Sequence, residues 1–232
     1  MRWDGYHSPG FWDEMLVDGR ARDACTGVVR YLASLGDDLV ERQRAADLVI
    51  KAMGITFSVY SETESGDRSW PFDVIPRVIS TQEWAVIADG LVQRLTALNM
   101  FIDDLYGKAR VITDGVLPAE VLASSANFRP QCVGVRPPGG IWAHICGSDL
   151  VRDSDGTMYV LEDNLRVPSG VSYMLENRLI TKRVFADLFR NLDIYPVDSY
   201  PNRLHAMLAA LSPRPGELPT IALLTPGVHN SA

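Results

Sequence analysis

Residues 147–172 read GSDLVRDSDGTMYVLEDNLRVPSGVS, and this segment carries the features that decide the predicted fold. The DSDG sequence at 153–156 is typical of a tight turn, because Asp side chains close local hydrogen bonds and Gly tolerates positive φ. The segment therefore predicts two antiparallel strands. Strand side chains alternate between faces, so Glu162 and Asn164 point the same way. Asp149 on the first strand lies opposite them if the hairpin pairs in its simplest register.

These three side chains form a candidate cation site. Two carboxylates and one amide oxygen are hard donors, and a site with few protein ligands suits Mg²⁺, which keeps waters and takes substrate phosphates as its other ligands. A polar hairpin with an acidic turn is also common on protein surfaces, and spacing alone slightly favours this second interpretation. A calcium loop of the EF-hand type is excluded, because Val151 would occupy its first ligand position.

The segment that follows the candidate ligands favours the metal interpretation. It carries Arg166, Ser169, a glycine and Ser172, as expected of a loop that holds an anion or a substrate. The two serines are equally suited to capping the helix that is predicted from Tyr173 onward.

The longer stretch HICGSDLVRDSDGTMYVLEDNLRVPSGVSYMLENR (144–178) closely resembles circularly permuted ATP-grasp proteins, the group related to glutathionylspermidine synthetase. The resemblance extends through FSVYSE (57–62), PFDVIPRVI (71–79), LNMFIDDLYG (98–107) and TPGVHNSA (225–232). It implies a ligase that depends on ATP and Mg²⁺, activates a carboxylate as an acyl phosphate and transfers it to an amine.

The resemblance also implies roles for single residues. Asp149, Glu162 and Asn164 match the metal-binding positions of the family. In glutathionylspermidine synthetase an Arg lies two residues before this Asp, whereas this chain has Gly147 there.

The role of that arginine is therefore vacant, and Arg152 and Arg166 are the candidates to fill it. Arg166 is the preferred candidate for the catalytic role, because it follows the ligand strand, and Arg152 is the candidate for binding the cofactor ATP. Ser169 and Ser172 resemble the hydroxyls that contact substrate in the family.

Composition restricts the class of protein. The chain has 232 residues and a formal net charge of −7 without any basic block, which disfavours a nucleic-acid partner. No apolar run of membrane-span length and no N-terminal signal core are apparent. Three scattered cysteines fit a reducing compartment. We expect a soluble cytoplasmic protein with no membrane partner.

Hydrophobic periodicity predicts an α+β fold with a helical N-terminal region and an antiparallel metal-bearing hairpin. A capping box at Ser80 and Glu83 starts the longest helix. The predicted helices cover 23–34, 39–53, 81–106, 118–123, 173–192 and 202–211. The predicted strands beyond the hairpin cover 55–60 and 220–224. The predicted domains are a mainly helical region (1–126), an ATP-grasp portion (127–212), and a linker with the first strand of a truncated α/β segment (213–232).

Three hypotheses about function follow. In the first, the chain is the N-terminal part of an ATP-dependent carboxylate–amine ligase, inactive by itself, whose substrates are small-molecule or peptide acids and amines. In the second, it is a non-catalytic module of the same fold that binds a small molecule or a partner. In the third, a second copy or another chain completes its unfinished sheet, because an uncovered strand edge invites pairing.

Overall fold

The computed structural model describes residues 3, 5–58, 67–214 and 216–224, and the chain forms two compact units. One unit combines Met1–Ile79 with Gly170–Ala232, and the other is Ser80–Ser169. The units thus divide the chain at 79/80 and 169/170, whereas the predicted boundaries lie at 126/127 and 212/213. The reason is that Val171–Val184 packs on Asp38–Ala52, far away in sequence.

The described helices and strands alternate along the chain without any large sheet. The α-helices are α1 (Thr26–Leu35), α2 (Asp38–Ala52), α3 (Thr81–Tyr106), α4 (Arg110–Thr113), α5 (Ala119–Ser124), α6 (Val171–Val184), α7 (Ala186–Asn191) and α8 (Tyr200–Ala210). The strands are β1 (Leu16–Val17), β2 (Arg20–Ala21), β3 (Thr56–Ser58), β4 (Asp67–Ser69), β5 (Gly147–Arg152) and β6 (Met158–Asn164). They pair as the antiparallel hairpins β1–β2, β3–β4 and β5–β6.

The apolar core of the described residues lies in the first unit, where α1, α2, α6 and α7 bury their apolar faces. Its largest fully buried side chains are Leu32, Ile50, Ile180 and Phe185. Phe185 leaves helical geometry (φ −124°, ψ 47°), so the single helix predicted over 173–192 is two helices. Arg42 donates to the carbonyl of Val184 (2.8 Å), which satisfies one of the free acceptors at the end of α6.

The second unit is organised by α3. Ser80 Oγ accepts a hydrogen bond from the backbone N–H of Glu83 (3.1 Å), which confirms the predicted cap. At the other end the Tyr106 ring stacks on Trp142 (4.8 Å between ring centroids) and on Phe128 (5.1 Å). The segment 128–142, which is rich in Pro and Gly, is thereby held against the helix end. None of the described side chains of α3 is fully buried.

The length and composition of α3 would allow it to cross a membrane, contrary to the expectation that no apolar run reaches that size. The apolar side chains of α3 that recur at steps of three and four residues are half-buried from Ile87 to Leu105, but the first of them, Trp84, is 46% exposed. Two ion pairs also join α3 to the hairpin of its own unit. Localisation in the cytoplasm stays a prediction.

One local prediction was wrong, because residues 220–224 form no strand, and Leu223 and Leu224 are exposed. Two elements were not predicted. They are the strand β4, which pairs with β3, and the four-residue helix α4. Part of FSVYSE and all of TPGVHNSA lie outside the described residues.

Candidate functional site

The β5–β6 hairpin has the register that the candidate site requires. Asp149 lies directly opposite Glu162, and Gly147 lies opposite Asn164. The pairing shifts between Asp149 and Leu150, because Leu150 faces Val160 and leaves Leu161 as an extra residue. Such a bulge redirects the residues beside it. Here it brings the Glu162 carboxylate opposite that of Asp149.

One face of the hairpin carries the predicted ligands. Asp149, Glu162 and Asn164 are all exposed, whereas their neighbours Ser148 and Asp163 are half-buried on the other face. Asn164 Nδ2 donates to Glu162 Oε1 (3.2 Å), which leaves the amide oxygen Oδ1 without a partner among the described residues. The structure therefore brings two carboxylates and one amide oxygen together on an open surface, which we call the ligand face.

The donor set fits a hard cation with an incomplete protein shell. No cluster of three or more His, Cys, Asp or Glu side chains suited to a metal occurs among the described residues. A transition-metal site is therefore not indicated in that part of the chain, whereas Mg²⁺ commonly uses one or two carboxylates together with water and phosphate oxygens. The oxygens of Asp149, Glu162 and Asn164 could hold such an ion.

The opposite face of the hairpin is attached to α3. Asp163 accepts from Ser148 Oγ (2.7 Å) and pairs with Arg94 Nε (2.6 Å), and its side chain is only 6% exposed. The Ser148 hydrogen bond and the Arg94 guanidinium lower the pKa of Asp163. Asp163 therefore anchors the strand on which Glu162 and Asn164 point outward.

The structure does not bring Arg152 to the ligand face. Its side chain is 6% exposed and donates to Glu83 Oε1 (2.5 Å) and to the carbonyl of Gly156 (2.8 Å). Arg152 is on the α3 side of the hairpin, because residues 149 and 152 fall on opposite faces of the strand. The geometry assigns it to anchoring the hairpin, in place of the predicted contact with ATP.

Arg166 and Ser169 lie on the loop that follows β6, and both are exposed. Unlike Arg94 and Arg152, Arg166 forms no hydrogen bond or ion pair with the described residues. Ser172 belongs to the other unit, near the start of α6, where no side chain caps the helix. No hydrogen bond in the described part of the chain therefore supports capping of this helix by either serine.

Sequence reasoning missed several residues that support this region. Asp103 accepts a hydrogen bond from Trp142 Nε1 (3.0 Å), and Asp104 accepts one from the backbone N–H of Val111 (2.8 Å). Both carboxylates therefore have partners within the unit. Strand alternation in Glu162-Asp163-Asn164 could have separated Asp163 from its neighbours. The identity of its partner Arg94, 69 residues away, has no local signal.

Comparison with known families agrees with this geometry. A model of the family described as circularly permuted ATP-grasp type 2 matches residues 76–232, well over half of the chain. The chain belongs to the circularly permuted ATP-grasp type 2 family. The match contains the complete second unit, with the hairpin and the loop after it.

Relatives of this ATP-grasp chain occur in several bacteria. An uncharacterized protein of Synechocystis sp. is 40% identical over 234 residues, which cover 100% of this chain and 49% of the relative. An uncharacterized protein of Mycobacterium tuberculosis is 41% identical over 225 residues, 95% of this chain and 40% of the relative. The chain thus spans about half or less of the length of these relatives.

A protein of Frankia alni, whose name proposes glutamate–cysteine ligase activity, is 38% identical over 231 residues. The alignment covers 97% of this chain and 26% of that protein. The ATP-grasp membership predicted from residues 144–178 is confirmed at the level of the family. The closer relation to glutathionylspermidine synthetase stays a prediction.

Proposed function

We propose that this ATP-grasp chain is part of an ATP- and Mg²⁺-dependent ligase that joins a carboxylate to an amine. The observation that carries the proposal is the pairing of Asp149 with Glu162, beside Asn164, on the open ligand face. The exposed side chains of Val151 and Tyr159, a directly opposed pair, continue this face toward the turn. Apolar surface beside oxygen donors suits a nucleotide, whose base has a flat aromatic face that packs on apolar side chains and whose phosphates bind a metal.

The proposed reaction has two steps. A carboxylate oxygen of the acid attacks the γ-phosphorus of ATP, and ADP leaves with the electrons of the broken bond. The neutral amine then attacks the acyl carbon of the acyl phosphate, phosphate leaves with the electrons of the broken C–O bond, and the amine nitrogen loses one proton to solvent as the amide forms. A bound Mg²⁺ neutralises phosphate charge during such a transfer.

The residues of this chain have separate roles in the proposal. Asp149, Glu162 and Asn164 hold the cation, and the free guanidinium of Arg166 offers planar donors to a phosphate. Ser169 contacts the acid or the amine, whereas the substrate role of Ser172, in the other unit, is implied only by the resemblance. Arg152 has no role in the reaction, because Glu83 and Gly156 occupy its side chain.

The relatives suggest which substrates to examine first. The names of the Frankia proteins propose glutamate and cysteine, and the resemblance to glutathionylspermidine synthetase adds glutathione and spermidine. All four are small amino or carboxyl compounds. A free amino-acid or peptide carboxylate is therefore the substrate class that we infer.

A second candidate function is a module that binds the nucleotide without transferring a phosphoryl group. One observation favours it: Gly147 stands where the glutathionylspermidine synthetases, which the chain resembles, have an arginine. Such a module binds Mg²⁺ and nucleotide but releases no ADP.

Metal binding is tested with Mn²⁺, a paramagnetic substitute for Mg²⁺, by electron paramagnetic resonance on the 232-residue chain. Glu162→Gln should weaken Mn²⁺ binding about tenfold or more, since ligand-shell changes commonly cost 10- to 100-fold. The matched control is Glu120→Gln, which alters an exposed carboxylate that has no partner among the described residues. Equal Mn²⁺ affinity in both variants would overturn the metal site.

Phosphoryl transfer is tested by ADP release with each of the four substrates, on this chain and on the full-length Synechocystis sp. relative, because the chain by itself is expected to be inactive. Hydroxylamine is added in parallel, because it traps an acyl phosphate as a stable hydroxamate. ADP and hydroxamate that the full-length relative forms, and that both disappear when the residue aligned with Glu162 is changed to Gln, support the ligase. Mn²⁺ and nucleotide binding without either product in both proteins supports the binding module instead.

A further inference from the structure

The loop after β6 returns onto the ligand face, and Gly147 makes this return possible. A Cβ atom at position 147 would lie 2.9 Å from Pro168 Cβ and 3.8 Å from Asn164 Cβ. The first distance is too short for two carbon atoms, so any side chain at 147 would displace Pro168. Gly147 is therefore required because there is no room for a Cβ atom. Its backbone conformation is not the reason, because its φ lies outside the left-handed region.

The position of Pro168 follows from strand geometry. Residues 147 and 149 lie two apart on β5 and therefore project to the same face. The pairing shift begins only after Asp149. Pro168 consequently rests on the ligand face, next to Asn164, and the loop Leu165–Ser169 borders the candidate cation site.

Val167 provides the bend that brings the loop back. Its φ is +49°, in the left-handed region, which is unusual for a β-branched residue. The residue before a proline is also normally extended. The Val167 side chain is 86% exposed, so burial does not compensate for this conformation. Strained backbone of this kind is concentrated at functional sites.

We propose that Gly147 and Val167 are positioning residues that hold Arg166 as a phosphate clamp beside the cation site. Arg166 lies between Asn164 and Pro168, both of which are fixed at the ligand face, and it has no partner among the described residues. The ligand class is the terminal phosphate of a metal-bound nucleotide, so the inference depends on the function proposed above.

Affinity for nucleotide is measured with Mn²⁺ alone and with Mn²⁺ plus AMP-PNP, a non-hydrolysable ATP analogue. Gly147→Ala should leave binding of Mn²⁺ alone nearly unchanged and weaken AMP-PNP binding about tenfold, as expected for loss of one charged hydrogen bond. Arg166→Ala should have the same effect. Because both changes remove one interaction, the double variant should bind little more weakly than either single variant.

Two further variants separate the clash from other effects of a methyl group. Gly147→Ala with Pro168→Gly removes the opposing Cβ and should recover part of the affinity lost in Gly147→Ala. Gly90→Ala on α3 is the matched control, since a Cβ there meets no atom within 4 Å. It should leave AMP-PNP affinity unchanged. Additive losses from Gly147→Ala and Arg166→Ala would overturn the clamp.

Amide hydrogen exchange tests the loop without any ligand. Gly147→Ala should accelerate exchange at Leu165–Val167 and Ser169 and leave α3 unchanged. If exchange is unaffected, the positioning role is wrong even when Mn²⁺ binds. If exchange accelerates but the unaltered chain binds neither Mn²⁺ nor AMP-PNP, the loop geometry holds, whereas the phosphate clamp and the proposed function both fail.

Discussion

Asp163 shows how a single residue can differ in role from both of its neighbours. Glu162 and Asn164 face outward with their oxygens available, while Asp163 is turned inward to Ser148 and Arg94. Strand alternation explains the difference in direction, and the partners on α3 explain why a carboxylate is tolerated at a site that is 6% exposed. A buried charge that is paired and hydrogen-bonded makes a pH-dependent contribution to stability.

The contribution of Asp163 to stability should depend on pH. Its pKa is lowered by the Ser148 hydrogen bond and by Arg94, below an unfolded value of about 3.9. Its contribution to stability is therefore fully present above about pH 4 and is lost as pH falls through the folded-state pKa. Thermal unfolding midpoints from neutral to acidic pH should fall less steeply in Asp163→Asn than in the Glu120→Gln control. Parallel curves for the two variants would contradict the assignment.

The second prediction concerns the strain at Val167. Asn adopts the left-handed region more readily than a β-branched residue, so Val167→Asn should raise the free energy of unfolding by about 1 kcal/mol. AMP-PNP binding should persist, because the bend is retained. Val116→Asn is the control, since Val116 is also exposed but lacks a positive φ. Urea unfolding that shows equal changes in both variants would argue against strain at position 167.

At the scale of elements, the hairpin is a two-faced ribbon whose inner face is attached to α3 at two points. Arg94 reaches Asp163 near one end of the ribbon, and Glu83 reaches Arg152 near the other. Glu83 also belongs to the first turn of α3, where Ser80 caps its backbone N–H. Glu83 therefore takes part in both contacts, through its backbone N–H at the helix start and through its carboxylate at the turn end of the hairpin.

This arrangement predicts that Arg152 stabilises the hairpin and takes no part in binding nucleotide. Arg152→Met should lower the free energy of unfolding by about 2 kcal/mol, as expected when charged hydrogen bonds are lost. Mn²⁺ and AMP-PNP affinities of the folded variant should remain within about twofold of the original, since one lost charged contact to the ligand would cost far more. A variant of normal stability with weakened AMP-PNP binding would restore the role in ATP binding that the sequence predicted for Arg152.

At the scale of the whole molecule, burial is unevenly distributed between the two units. Every fully or almost fully buried apolar side chain of the described residues lies in the first unit, and the second unit contains only half-buried and exposed ones. Apolar burial is the main favourable term in folding, so the second unit depends more on ion pairs, caps and ring stacking. The candidate site is built on the less buried unit.

Native-state hydrogen exchange should reveal this difference. Amides of α1, α2 and α6 should exchange most slowly, and those of β5 and β6 much faster, because local opening follows buried contact density. Mn²⁺ with AMP-PNP should slow exchange in β5, β6 and the following loop. Uniform protection across both units would contradict the uneven burial, and ligand protection confined to α1 and α2 would place the site elsewhere.

The edges of the hairpin lead to a prediction about assembly. Among the described residues β5 and β6 pair only with each other, so each leaves one edge unpaired. Unpaired edges favour pairing with a further strand. Sedimentation velocity should therefore show concentration-dependent self-association of the chain, and Val151→Lys on the hairpin should reduce it. A monomer at every concentration would exclude a second copy as the partner.

Much of this protein was determined by local sequence. The turn at 153–156, the alternation of Glu162 and Asn164, the cap at Ser80 and the limits of α3 all depend on contacts between residues close together in the chain. Local pattern predicted them because turn chemistry and strand or helix periodicity act within a few residues. The ATP-grasp family was also evident from residues 144–178.

Only the tertiary structure decided the rest. It assigned Arg152 to Glu83 and Asp163 to Arg94, across 69 residues in each case, and it brought Pro168 against Gly147. It also shows that residues 220–224, predicted as a strand, do not form one. Burial and ion pairing between distant segments depend on how elements pack, and no periodicity within one segment encodes which side chain arrives from another.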